Sequence, residues 1–144
     1  MKGNCLTVSV RRRKTVLVDG TELSKEMMWG GENLKRRVDK FGKNHPAELI
    51  QVVNNLKNAL SYWEERSVEE LRRSGLVHRE AGGAVAVDQR GCKPKSNYEM
   101  RLYFYPQELE DGTKICWRLT IGDKNTQRLD NVWCKQEIEK LLIS

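Results

Sequence analysis

The spacing of apolar residues changes once along this chain, at Gly75, and that change restricts the fold more than any other feature. Before it, Leu49, Val53, Leu56, Leu60 and Trp63 recur at 4,3,4,3 spacing, which lays them along one stripe of an α-helix. After it, "GAVAVDQ", "YEMRLYFY" and "KICWRLTIG" alternate apolar with polar residues, the period of strands. The loop "RGCKPKSN" and the Asp111-Gly112 turn signal separate them, so they read as an antiparallel meander. A helical half followed by a small antiparallel sheet predicts the α+β class, with a helical hairpin and a C-terminal helix packed on one sheet face. The 144 residues fit a single domain able to bury its own core.

Local signals mark the element ends. "CLTVSV" and "KTVLVDG" read as two short strands around the basic run Arg11 to Lys14, closed by Asp19-Gly20 as a hairpin. "MMWGG" breaks the chain, with Met27, Met28 and Trp29 expected to pack under the domain. "ENLKRRVDKFG" places Leu34, Val38 and Phe41 at helical spacing under a basic outer face and is expected to stop at Gly42. Asn44 is the expected N-cap of the long helix, with Pro46 in its first turn. Ser67 to Glu70 match a capping box and open a brief helix ended by Gly75, giving a helical hairpin with a three-residue joint. Asp130 is the expected N-cap of a closing helix whose inward stripe is Cys134, Ile138 and Leu141. Residues 1–43 are then an N-terminal extension of short strands and a short basic helix, and residues 44–144 the core.

The formal charge of +6, from 26 Lys and Arg against 20 Asp and Glu, favours a polyanionic partner. Cys5, Cys92, Cys116 and Cys134 form no CxxC pair, and His45 and His78 stand apart from them, so reduced thiols, no metal and no cofactor are expected. Cys116 and Cys134 fall inside a strand and a helix pattern, as small core residues. No stretch approaches membrane-spanning length and no signal-peptide core opens the chain, which points to no membrane partner and a cytoplasmic location.

Alternation gives the sheet two unlike faces. Met100, Leu102 and Phe104 point one way, Arg101, Tyr103 and Tyr105 the other; in the next strand Ile115, Trp117, Leu119 and Ile121 oppose Cys116, Arg118 and Thr120. With helices over the apolar face, the other would show Arg101, Tyr103, Tyr105 and Arg118. Lys93 and Lys95 border it from one loop, and Lys124, Gln127 and Arg128 from "IGDKNTQRLD". Cations for phosphates, aromatic planes for stacking and amides for base edges suit single-stranded RNA. The same residues also make an ordinary exposed sheet face and a polar turn leading to a helix cap.

"YEMRLYFY", followed by "WRLTIGDKNTQRLD" and the closing "QEIEKLL", resembles the C-terminal half of the RelE/ParE toxin superfamily, especially its HigB-like members. In sequence the resemblance covers residues 98–142, and residues 46–97 share only the order of elements. It implies a toxin of a bacterial toxin-antitoxin system: a metal-independent endoribonuclease that cleaves mRNA, usually on the ribosome, and is restrained by a cognate antitoxin. It also implies that Lys124 and Arg101 stabilise phosphate charge and that Gln127 is a structural hydrogen-bonder. Arg118 joins them from the face argument alone. Such a reaction needs a proton acceptor. Tyr103 or Tyr105 fits only if cations lower its pKa, and His78 has a suitable pKa but lies far from the turn in sequence. Without a convincing base, a second reading stands beside the enzyme: a binding protein of the same fold, either of the gyrase-inhibitor type known in the ParE branch or a basic nucleic-acid-binding module.

Overall fold

The computed structural model describes residues 6–9, 32–112 and 114–143. Strand β1 (Leu6–Ser9) precedes helices α1 (Glu32–Asn44), α2 (Pro46–Glu64) and α3 (Val68–Arg72). A two-residue strand β2 (His78–Arg79), a 3-10 turn at Ala81–Gly83, and strands β3 (Val85–Asp88), β4 (Met100–Glu108) and β5 (Lys114–Asp123) follow, and helix α4 (Gln127–Ile143) closes the chain. The described strands form one antiparallel sheet in the order β1-β5-β4-β3-β2. The α+β class, the hairpin with its joint at residues 65–67 and the meander all agree with the sequence. The first expected strand pairs with β5, whereas "KTVLVDG", the Arg11 to Lys14 run and "MMWGG" lie outside the described residues.

Helical spacing places Leu56, Leu60 and Trp63 of α2 in the core with Val52 and Ala59, while Leu49 and Val53 flank it half-buried. Leu34, Val38 and Phe41 of α1 enter the same cluster, so this helix is a working part of the core. Helix α1 does not stop at Gly42 but runs to Asn44, and a Cβ on Gly42 would come within 2.5 Å of Leu49 Cδ2. Glycine there permits the close approach of α1 to α2. Asn44 therefore ends one helix instead of capping the next; His45 holds the N-cap position of α2, with Pro46 as its first helical residue. The capping box of α3 is complete, with Ser67 Oγ accepting from Glu70 N at 3.1 Å and Glu70 Oε1 from Ser67 N at 2.9 Å.

The helical layers lie on opposite faces of the sheet, not on one. Helices α1 to α3 cover Val85, Val87, Met100, Leu102, Phe104, Cys116 and Ile121. Helix α4 covers the alternate residues Ala84, Ala86, Tyr103, Ile115, Trp117 and Leu119 with its own Cys134, Ile138 and Leu141. A stripe of that kind has to be buried, and the second apolar face of β5 offers the place. A β-bulge creates that second face. Tyr103 pairs with Thr120 and Phe104 with Arg118, which leaves Leu119 as the extra residue and reverses the alternation of β5 there.

Candidate functional site: a His78 and Arg101 cleft

Where α4 leaves the sheet face uncovered, beside its first turn, a cleft of about 490 Å³ opens over the ends of β2, β3 and β4. Its chemistry comes from His78, Asp88, Arg90, Lys95, Glu99 and Arg101. Backbone pairing brings the residues together: His78 lies opposite Ala86, and Asp88 opposite Arg101, all on the face that α4 covers further along. His78 Nε2 stands 2.7 Å from Asp88 Oδ2, with both side chains partly exposed. Burial opposes ionisation of Asp88. The hydrogen bonds from His78 and from Arg90 N, helped by the charges of those two residues, outweigh it and hold the carboxyl below its ordinary value.

The cleft is framed from behind by α2. Asn55 Nδ2 donates to the carbonyl oxygens of Asp88 (2.8 Å) and Arg90 (2.9 Å), and Gln51 Nε2 donates to Asn55 Oδ1 at 3.0 Å. Gln89 uses both ends of its amide, Nε2 to Tyr98 O at 2.6 Å and Oε1 from Met100 N at 2.8 Å. On the α4 side, Arg101 Nη1 pairs with Glu80 Oε2 at 2.6 Å, and Glu80 Oε1 accepts from Asn131 Nδ2 at 3.0 Å. Glu80 is buried to 5% side-chain exposure, so Arg101 is held in position by an anion that solvent screens little. Sequence reasoning singled out His78, Arg101 and Lys95 but missed Asp88, Glu80, Asn55 and Gln89. One signal was available for Asp88: Gly82-Gly83 between two short apolar runs marks a hairpin, which returns residues 86–88 to His78.

The other expected site residues are dispersed. Tyr103 is fully buried beneath α4; that burial, then the carboxylates of Asp130 and Glu80, push its phenol well above the ordinary value, so it is no proton carrier. Arg118 shares the face of Phe104 and Cys116, not that of Arg101. It is fully buried, its three guanidinium nitrogens have no hydrogen-bond partner among the described residues, and burial lowers its pKa to about 10. The bulge at Leu119 is the cause in both cases: it turns Arg118 to the far face and gives α4 a surface to cover. Tyr105 is half-buried against Gly83, further along the strand from Arg101, and does not line the cleft.

The "IGDKNTQRLD" segment is explained by a turn and a helix start. Strand β5 runs on through Asp123, whose Oδ1 accepts from Asn125 N (2.9 Å) and Thr126 N (3.1 Å). Helix α4 begins at Gln127, so Asp130 is not its cap; it is buried in the first turn, accepts from Thr126 Oγ1 at 2.7 Å and pairs with Arg37 at 3.0 Å. Lys124 and Arg128 are exposed and Gln127 is half-exposed, and none of the three lines the cleft. Lys93 lines an adjoining hollow that shares Lys95 with it.

Cys116 and Cys134 are buried in the two cores as expected, and Cys92 is half-buried in the loop after β3. Among the described residues no helix is long and apolar enough to cross a membrane. No family model, no curated protein and no solved structure matches this chain.

Proposed function

We propose that the chain is a toxin-like, metal-independent endoribonuclease that acts on single-stranded mRNA at the His78 cleft. The observation that carries the reading is the convergence of a His-Asp pair with Arg101 and Lys95 in one cleft. With Nε2 engaged by Asp88, Nδ1 of His78 is the nitrogen left to meet a substrate. It takes the proton from a ribose 2′-hydroxyl as that oxygen bonds to the adjacent phosphorus. The bond from phosphorus to the 5′-oxygen then breaks, leaving a 2′,3′-cyclic phosphate and a 5′-hydroxyl whose proton comes from Lys95 or solvent. Arg101 and Lys95 face the charge that gathers on the phosphorane oxygens. The resemblance to the RelE/ParE superfamily extends this proposal to cytoplasmic action on the ribosome and restraint by a cognate antitoxin.

One observation favours the non-catalytic reading: Arg101 is already neutralised by Glu80, which suits a scaffold that binds nucleic acid, or a gyrase-type target, without cleaving it. Incubating the parent, His78→Ala and Arg101→Ala proteins with mRNA in EDTA, with and without translating ribosomes, separates the two. The enzyme reading expects fragments ending in cyclic phosphate and a loss of at least about 100-fold in His78→Ala. RNA that stays intact with the parent under both conditions rejects it.

A further inference from the structure

A second hollow of about 520 Å³ adjoins the cleft and shares Gln89, Arg90, Lys95 and Ser96 with it. Both volumes fall in the range of small-molecule pockets, about 300–1,000 Å³. Their charge differs. The cleft contains Asp88 and Glu99, whereas among the described residues no carboxylate lines the second hollow and three cations, Arg90, Lys93 and Lys95, do. Between those cations, Gly91 and Cys92 supply backbone and a half-buried thiol.

The wall of this hollow is set before any ligand arrives. Cys92 N donates to Gln89 O at 3.0 Å, Asn55 clamps Asp88 O and Arg90 O, and Tyr98 N donates to Ser96 Oγ at 3.1 Å. Arg90 lines both hollows, and its Nη1 donates to Gly75 O at 3.1 Å, which tethers the side chain at one end. A guanidinium plane is a stacking surface for an unpaired base, and lysines at the rim suit the phosphate attached to it.

We infer that the hollow formed by residues 89–96 is a nucleotide subsite, which holds one splayed base of single-stranded RNA on Arg90 while the adjoining phosphate lies at His78. This rests on the reading of the cleft as the cleavage site. The ligand class is a dinucleotide segment of RNA spanning both hollows, with Lys93 and Lys95 on the phosphate flanking the bound base.

The test uses an RNA hexamer with a 2′-O-methyl group at the scissile position, which binds without being cut. In a Cys5→Ser background, Cys92 is the one remaining cysteine outside the buried cores. Saturating hexamer should slow its reaction with a disulfide reagent by about 10-fold or more. Removing the base next to the methylated ribose should weaken binding about 10-fold. In a Cys92→Trp variant, whose indole occupies the hollow, the intact and abasic hexamers should bind alike. Unchanged Cys92 reactivity, or equal binding of both hexamers to the parent, overturns the subsite even if unmodified RNA is cleaved. Protection of Cys92 together with a base-dependent affinity upholds it, even if unmodified RNA stays intact and the ribonuclease reading fails.

Discussion

His78 Nε2 and Asp88 Oδ2 meet at 2.7 Å because the β2 and β3 hairpin pairs His78 with Ala86, two residues before Asp88 on the same face. The pair couples the cleft to pH. A carboxyl whose folded pKa is depressed adds stability above its unfolded value, near 3.9, and that contribution is lost as pH falls through the folded value. Asp88→Asn should therefore melt below the parent at pH 6, with the gap closing as pH falls toward 3. A gap independent of pH over that range would show that the carboxylate charge is not what Asp88 contributes.

Glu80 sets how much of the Arg101 charge reaches a ligand, since the two are 2.6 Å apart and Glu80 is almost wholly shielded from solvent. Glu80→Gln keeps the shape and the hydrogen-bonding capacity but removes the competing anion. RNA should bind it more tightly than the parent, with a salt dependence steeper by about one phosphate contact. Equal affinity and slope in filter binding at several salt concentrations would mean that Arg101 does not touch phosphate.

Among the described residues Arg118 has no counter-ion and no hydrogen-bond partner for any guanidinium nitrogen, and it is buried beside Phe104 and Cys116. Replacing buried charge with apolar volume is often neutral or stabilising, by about 1–4 kcal/mol. Arg118→Met should accordingly raise the urea midpoint and leave RNA affinity unchanged. A lower midpoint would mean that the guanidinium is satisfied in solution.

Lys114, only 4% exposed, closes the C-terminal end of α2: its ammonium donates to Trp63 O (2.5 Å), Arg66 O (2.7 Å) and Glu64 O (3.3 Å). Cations suit the negative end of a helix, and the ammonium adds a charged donor at Trp63 O, which also accepts from Arg66 N at 3.1 Å. Lys114→Met should cost about 1–3 kcal/mol in chemical denaturation. A loss below about 0.5 kcal/mol would show that water replaces the ammonium without penalty.

Gly122 leaves no room for a side chain: a Cβ there would lie 2.0 Å from Asp130 Oδ2 and 2.3 Å from Thr126 Oγ1. Gly122→Ala must break the Thr126 to Asp130 hydrogen bond and push a buried carboxylate away from Arg37. A loss of about 2–4 kcal/mol and weaker hydrogen-exchange protection at the start of α4 are expected. Parent-like stability would show that the turn rearranges freely.

Much of this fold could be read along the chain because its signals are local. The stripe from Leu49 to Trp63, the Ser67 to Glu70 capping box and the alternation in β3 and β4 each follow from spacings of a few residues, and the structure keeps all three. His78, Arg101 and Lys95 were legible as chemistry-bearing residues for the same reason: residue type alone nominates them. Their meeting in one cleft was not legible. It depends on a short hairpin whose pairing joins residues 78 and 86, and on an α2 asparagine that clamps backbone carbonyls 33 and 35 residues away. The largest reversal came from one residue. The bulge at Leu119 shifts β5 out of simple alternation, hiding Arg118 on one face and lending Leu119 and Trp117 to α4 on the other. Side-chain period specifies which residues are apolar and at what interval. Only packing decides where a strand takes in an extra residue, because that choice is settled by how much apolar surface both faces of the sheet can bury at once.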